Sequence, residues 1–157
     1  MRVAQFINLY LYALVMGVFW GTWFSLSRSI ASITPATFLE IGHTMIGNLG
    51  GPMPVLMPAA ILANIVVAVM LFRRKEKGPL AFAFAALLLM LVALTATLAV
   101  NVPIDRQIQR WTVATVPVDW PAIRDRWETY HVLRTFASLV GFACACVAAV
   151  WPARRSA

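Results

Sequence analysis

Residues 79–100 read PLAFAFAALLLMLVALTATLAV, a stretch without a single charged side chain. A helix crosses the bilayer core of about 30 Å with roughly 20 apolar residues. This stretch therefore predicts a transmembrane helix. Three further runs of similar length and composition, none with an acidic residue, cover residues 3–26, 53–72 and 132–151.

The composition of the whole chain agrees with a membrane location. Its 157 residues are 61% hydrophobic and only 12% charged, whereas soluble domains carry about 25% charged residues. We expect an all-α integral membrane four-helix bundle, a single transmembrane domain over residues 1–157, with spans at about 3–28, 53–72, 79–100 and 130–151. A short extra helix starting at Thr34 and Pro35 is predicted between spans 1 and 2, and an amphipathic or helical segment between spans 3 and 4.

The net charge of +7 reflects membrane topology rather than nucleic-acid binding, because the cations flank the spans and no nucleic-acid motif accompanies them. The short turn at 73–78 is dense in Lys and Arg, and Arg2, Arg154 and Arg155 lie near the chain ends. The positive-inside rule then predicts cytoplasmic termini, with 29–52 and 101–130 on the other side. We expect the protein in a bacterial inner membrane, with the lipid bilayer as its first partner.

Two helix faces carry small or polar residues at helical spacing, and we expect both to look into the bundle. In the first span these residues include a small-xxx-small contact motif and are Gly17, Gly21, Ser25, Arg28 and Ser32. In the fourth span they are Trp127, His131, Arg134, Ser138, Gly141 and Ala145.

Arg134 is the only charged residue in the fourth apolar run, and His131 lies one turn before it. An arginine at membrane depth costs several kcal/mol and requires a partner or a wet cavity. Two interpretations stay open. Arg134 extends to the interface while its stem stays in lipid, or both side chains belong to a polar pocket at one end of the bundle.

The segment from Asn101 to Tyr130 contains more than a connector needs, namely three tryptophans and four arginines. We expect Asn101 to Asp105 to end the third helix, residues 106–111 to form a short amphipathic turn, and Asp119 to cap the next helix. The tryptophans fit an aromatic belt at the headgroups as well as a binding surface, and the two interpretations are compatible.

Motifs in this segment resemble the signature of the anthrone oxygenase family: Asn101-Val-Pro-Ile-Asp105, Val118-Asp119-Trp120, Arg124-Asp125-Arg126-Trp127 and His131-Val-Leu-Arg134-Thr135. The family's first motif usually ends in Asn, where this chain has Asp105. The resemblance implies a four-helix membrane oxygenase that converts an anthrone, a tricyclic aromatic ketone, to the anthraquinone with molecular oxygen. It implies no metal or organic cofactor, and it implies an apolar aromatic small molecule as partner, reaching the site from the lipid.

Such chemistry needs a base, a group that stabilises an oxyanion, and flat surfaces for the rings. The expected base is His131, and the expected oxyanion partner is Arg134 or Arg124. The complete predicted set consists of His131, Arg134, Asn101 and Arg124 as catalytic residues, and Trp120, Trp127, Asp105 and Trp111 as substrate-binding residues.

Two other functions remain open. The two histidines each follow a glutamate by three residues, as Glu40-Ile-Gly-His43 and Glu128-Thr-Tyr-His131, and paired Glu-x-x-His motifs hold di-metal sites in some four-helix proteins. Such sites also take a carboxylate from each of the other two helices. Here Asp105, at the end of the third span, could supply only one of these two ligands. The third possibility is a non-catalytic accessory subunit of a larger membrane protein complex, since fold alone does not fix function.

Overall fold

The computed structural model describes residues 1–151, and over that range the chain is helical without strands. The α-helices are α1 (Arg2–Ser25), α2 (Pro35–Leu49), α3 (Met53–Arg73), α4 (Lys77–Ala96), α5 (Val102–Ile108) and α6 (Trp120–Val150). A 3-10 helix, Ser27–Ser32, follows α1, and a π-helical turn, Thr97–Asn101, joins α4 to α5. The predicted all-α fold class is confirmed.

Four helical segments are long and apolar enough to cross a membrane: Arg2–Ser32, Met53–Arg73, Lys77–Ile108 and Trp120–Val150. Their main helices form a ring in which α1 and α4 each pack against both α3 and α6. Large apolar side chains such as Phe6, Leu62 and Phe84 lie exposed on the outside of this ring, where lipid would be their solvent. The chain is therefore an integral membrane protein with four spans, as the length of its apolar runs predicts.

Small side chains let the helices of the ring approach closely. Ala86 and Ala93 of α4 are fully buried, and Gly141 of α6 leaves room for the hydroxyl of Tyr12, which a Cβ at position 141 would meet. That hydroxyl donates to the Ala86 carbonyl at 3.0 Å. A polar group inside a membrane bundle needs such a partner because lipid offers none.

The inward face predicted for the first span, which comprises α1 and the 3-10 helix after it, is wrong. All of its members lie exposed on the outside of the bundle: Gly17, Gly21, Ser25, Arg28 and Ser32. The buried face lies on the other side of the helix and consists of Asn8, Tyr12, Val15, Phe19 and Thr22. The physical reason is that lipid is as apolar as a helix interface, so burial follows the fit of side chains rather than their hydrophobicity. The larger rings of Tyr12 and Phe19 fill the space between helices.

The third span does not end at Asp105. Its helical path continues through the π turn, Thr97–Asn101, into α5 and ends only at Ile108. Pro103 has no N–H to donate, and its ring would clash with the carbonyl four residues earlier in a regular α-helix. The wider π turn directly before it accommodates this ring. Half of the predicted amphipathic turn at 106–111 therefore belongs to α5.

Two predicted helix starts are confirmed. α2 begins at Pro35 behind Thr34, whose Oγ1 accepts a hydrogen bond from the Thr37 N–H at 3.3 Å. α6 begins at Trp120 with Asp119 in the N-cap position, although the Asp119 side chain makes no capping bond. From there α6 runs without a break to Val150, so the segment 120–130 continues the fourth span along one axis.

The predicted orientation stays a prediction. It relies on the exposed cations of the 73–78 turn, together with Arg2 at the start of α1. It also relies on Arg154 and Arg155, which lie outside the described residues.

Candidate functional site

An apolar cavity of about 840 Å³ lies at the end of the bundle that carries α2 and α5, and we refer to it as the end cavity. All six α-helices contribute to its wall, mostly through Ile, Leu, Met, Phe and Val side chains. Its charged and polar lining comes chiefly from α5 and the residues after it, with Asp105, Arg106, Gln109 and Arg110, and from α6, with His131 and Arg134. Its volume lies within the range of small-molecule sites, roughly 300–1,000 Å³.

The inward face predicted for α6 is confirmed. Trp127 is half-buried, and the following members of the series are buried: His131, Arg134, Ser138, Gly141 and Ala145. Steps of three and four residues keep these side chains on one stripe of the helix. The first three line the end cavity, and the last three pack within the bundle.

Arg134 and His131 form a hydrogen-bonded pair one helical turn apart. Nε and Nη2 of Arg134 lie 3.1 and 3.0 Å from Nδ1 of His131. A guanidinium has only donors, so Nδ1 must be the acceptor. The neutral imidazole therefore carries its proton on Nε2.

The Nε2–H group of His131 is left without a hydrogen-bond partner among residues 1–151, although His131 is only 1% exposed. The backbone carbonyl of Phe19 lies near it, outside hydrogen-bonding geometry. A buried donor without a partner costs about 1–3 kcal/mol. Its Nε2 atom has almost no accessible surface, so this donor lies in the packed interior rather than on the open surface of the end cavity.

Arg134 is 8% exposed, and its guanidinium contacts aromatic faces, while Asp105 and Glu128 interact with it from beyond ion-pair distance. Its guanidinium lies 4.6 Å from the centre of the Phe19 ring and 5.8 Å from that of Trp127, and Nη1 donates to Thr97 Oγ1 at 3.3 Å. Within residues 1–151 it forms no ion pair at 4.0 Å or less. Buried charges are normally paired, so this cation is prepared to meet an anionic group in the cavity.

Trp127 connects the histidine to the carboxylate. Its ring stacks on His131 at 4.9 Å with an interplanar angle of 11°, and its Nε1–H donates to Asp105 Oδ1 at 2.8 Å. Asp105 lines the end cavity as well. The structure thus brings together four of the eight predicted site residues, from two helices that are separate in sequence.

Asn101 supports this group from behind. It is fully buried in the π turn, and its Nδ2 donates to the Trp127 carbonyl at 3.0 Å. It does not line the end cavity, so its contact is with the backbone of α6. Its Oδ1 has no hydrogen-bond partner among the described residues.

Arg124, Trp120 and Trp111 lie away from the end cavity and do not line it. Arg124 pairs with Asp125 at 2.7 Å and lies 5.0 Å from the centre of the Trp120 ring. The Trp120 ring in turn packs against Phe38 of α2 at 5.3 Å. Trp111 belongs to the same apolar cluster. These three residues join α2 to the start of α6.

The paired Glu-x-x-His motifs do not converge on a metal site. No group of three or more His, Cys, Asp or Glu side chains suited to a metal ion occurs within residues 1–151. Glu40 is exposed on α2, and His43 Nε2 donates to the Ile108 carbonyl at 2.8 Å. The reason is topological, because α2 is not a member of the four-helix ring and its histidine faces α5.

Two contributors to the site were missed in the sequence. Phe19 comes from α1 and Thr97 from the π turn after α4, and both contact Arg134 across the bundle. Phe19 resembles every other apolar residue of its span, so no local pattern marks it. Thr97 is a hydroxyl residue one turn before Asn101, which is the only signal that could have indicated it.

Comparison with known proteins gives one family. The model of the family described as anthrone oxygenase matches residues 49–144, more than half of the chain. The matched range includes α3, α4, α5 and most of α6, and with them Thr97, Asp105, Trp127, His131 and Arg134. No curated protein and no solved structure gives a significant match.

Proposed function

The chain belongs to the anthrone oxygenase family, and from this membership we propose that it oxidises a planar aromatic ketone of the anthrone type with molecular oxygen. The single observation that carries the proposal is the buried Arg134 cation, which faces the end cavity and has no ion-pair partner among residues 1–151. The methylene between two aryl rings of an anthrone loses a proton to give an enolate. Its negative oxygen is the anion that this cation would hold.

The reaction balances without a further redox group. Loss of one methylene proton leaves an electron pair that delocalises onto the ketone oxygen. This enolate gives an electron to oxygen, and the resulting radicals join through a new carbon–oxygen bond to a peroxide that takes up a proton. Loss of the second methylene proton breaks the O–O bond and forms the new carbonyl, while the departing hydroxide becomes water. One oxygen atom enters the product and the other leaves as water.

Arg134 stabilises the charge that develops on the ketone oxygen. A preorganised donor in a site without bulk water acts more strongly on such a charge than water does. Its guanidinium is already oriented by His131 and Thr97, so little reorganisation is needed when the enolate forms. The faces of Trp127 and Phe19 next to it offer flat apolar contacts to the rings of the substrate.

The location of the end cavity supports a substrate that arrives from the membrane. The wall is apolar, and its lining includes exposed positions such as Leu98 and Pro58 on helices that span the bilayer. A tricyclic aromatic ketone partitions into the hydrocarbon region. It can therefore enter sideways without passing through water.

Membranes containing the protein should convert added anthrone to anthraquinone in the presence of oxygen faster than membranes without it. Arg134→Gln should lower kcat/KM on the order of 10²- to 10³-fold, the usual effect of removing an oxyanion donor. The kcat/KM of Arg134→Lys should lie between those of the wild type and of Arg134→Gln, because lysine keeps the charge but lacks the planar guanidinium. Absorbance of the anthraquinone measures the rate.

Arg126→Gln is the matched control, since Arg126 lies exposed on the same helix and takes the same substitution. It should leave the rate unchanged. Wild-type membranes no faster than empty ones would refute the oxygenase. An Arg134→Gln variant that folds and is as fast as the wild type would refute the role of the cation.

A second candidate is the accessory subunit, favoured by one observation. Gly17 and Gly21 lie exposed on α1, and a Cβ at either position would meet nothing within 4 Å in the part of the chain that the structure describes. Small residues of this kind allow another transmembrane helix to approach. Solubilisation in mild detergent followed by size-exclusion chromatography distinguishes the two functions. An accessory subunit would elute together with larger partner proteins. The Gly17→Leu variant of such a subunit would elute without them.

A further inference from the structure

Resting on the proposed function, we infer that Asp105 accepts the proton from the methylene carbon, and that His131 stays neutral and orients Arg134 through Nδ1. The sequence alone favours His131 as the base, because histidine is the usual residue for this task. The hydrogen bonds of the site favour the carboxylate.

His131 has no free lone pair to offer. Its Nδ1 accepts from Nε and Nη2 of Arg134, at 3.1 and 3.0 Å. Its Nε2 holds the ring proton, because a neutral imidazole has one N–H and one acceptor. To act as a base, the ring would have to give up its bond to Arg134 and become a second cation beside the first. As the acceptor that orients Arg134 it needs no change.

Asp105 has the opposite arrangement. Its Oδ1 accepts from the Trp127 Nε1–H at 2.8 Å, which fixes the orientation of the carboxylate. Its Oδ2 has no hydrogen-bond partner among residues 1–151 and retains accessible surface. Asp105 lines the end cavity. One oxygen thus positions the group, and the other is available to a proton.

The charges of the cavity favour the same assignment. Asp105 and Glu128 are the carboxylates that interact electrostatically with Arg134, and only Asp105 lines the end cavity. When the proton moves from carbon to Asp105 Oδ2, the negative charge moves from the carboxylate to the substrate oxygen beside Arg134. The number of charges in the cavity stays the same. With His131 as the base, Asp105 would stay charged as well, and proton transfer would add one cation, the imidazolium, and one anion, the enolate, to the cavity.

Proton transfer can be measured apart from oxidation. Without oxygen, an anthrone carrying two deuterium atoms at its methylene carbon loses a deuteron to the base, and the electron pair stays on the enolate. The base exchanges the deuteron with water and returns a proton to the carbon. The C–D bond is replaced by C–H and nothing is oxidised, so mass spectrometry of the recovered anthrone reports the base alone.

Under these anaerobic conditions Asp105→Asn should slow the wash-out of deuterium on the order of 10²- to 10⁴-fold, the usual contribution of a general base. His131→Gln, whose amide oxygen can still accept from Arg134, should lose far less exchange than Asp105→Asn.

Two further variants separate chemistry from folding. Glu128→Gln makes the same change at the other carboxylate near Arg134 and should exchange close to the wild-type rate. Trp127→Phe removes the hydrogen bond to Asp105 but keeps the carboxylate, so it should lose much less exchange than Asp105→Asn. Equal losses in Trp127→Phe and Asp105→Asn would mean that Asp105 acts only by holding Trp127, and would overturn the assignment.

The outcomes separate this assignment from the oxygenase itself. A wild-type protein that neither exchanges deuterium nor forms anthraquinone refutes both. A wild-type protein that does both, with exchange retained in Asp105→Asn and lost in His131→Gln, refutes only the role of Asp105. Exchange lost in Asp105→Asn and retained in Glu128→Gln is the result we expect.

Discussion

At the scale of single residues, the missing side chain of Gly141 determines how closely α6 approaches α1. A Cβ at this position would overlap the hydroxyl of Tyr12, which donates to Ala86 on a third helix. Three helices therefore meet at one point where no extra carbon fits. The end cavity lies beyond this contact along α6, so the packing here fixes the position of Arg134 and His131 relative to α1.

Gly141→Ala should destabilise the bundle by about 1–3 kcal/mol, the usual cost of overpacking. Gly21→Ala is the matched control, because a Cβ there meets nothing within 4 Å. The thermal unfolding midpoint in detergent measures both. Removing the hydroxyl with Tyr12→Phe in the Gly141→Ala background should restore part of the loss. No rescue in the double variant would show that the Tyr12 hydroxyl is not the obstacle.

At the scale of elements, α2 is the helix that is least fixed to the bundle. It packs chiefly against α5, and Phe38 and Leu39 are its only buried residues. Yet Met45 and Ile46 of α2 form part of the cavity wall. Helices with few buried contacts open at lower free energy than the core. We therefore expect the substrate to enter where α2 moves away from α3.

His43→Ala should increase the opening of α2, because it removes the hydrogen bond from Nε2 to the Ile108 carbonyl. A net loss of about 0.5–1.5 kcal/mol corresponds to a roughly two- to tenfold faster amide hydrogen exchange over Pro35–Leu49. Thr44→Ala is the control, since its hydroxyl bonds only within α2, to the Glu40 carbonyl. Unchanged exchange in His43→Ala would show that other contacts hold α2.

At the scale of the whole molecule, the number of spans could be predicted because bilayer thickness alone sets their length. Arg134 and His131 could be selected as site residues, because a polar side chain in an apolar span is costly and therefore marks a partner or a function. The face of α1 could not be predicted, since lipid removes the difference in hydrophobicity that marks a buried side in water. The contributions of Phe19 and Thr97 depend on how helices meet, which no local pattern contains.

The orientation of the molecule is a prediction at the same scale. Residues of the 73–78 turn and of the 109–119 loop lie at opposite ends of the bundle, and both Lys75 and Thr112 are exposed. In intact cells, an impermeant thiol reagent should label Thr112→Cys at once. It should label Lys75→Cys only after the membrane is opened. The reverse pattern would place the termini outside.

The π turn at Thr97–Asn101 determines the rotational phase of everything that follows it in the third span. A π turn holds one residue more than the α-helical turn it replaces, and one residue corresponds to about 100° of rotation in an α-helix. Deleting the exposed Leu98 would give a regular helix of the same span. The residues after it would keep their present phase, so the Asp105 carboxylate would still face Trp127. If all five residues were kept and formed a regular α-helix instead, the carboxylate would turn by about a quarter of a circle, away from Trp127.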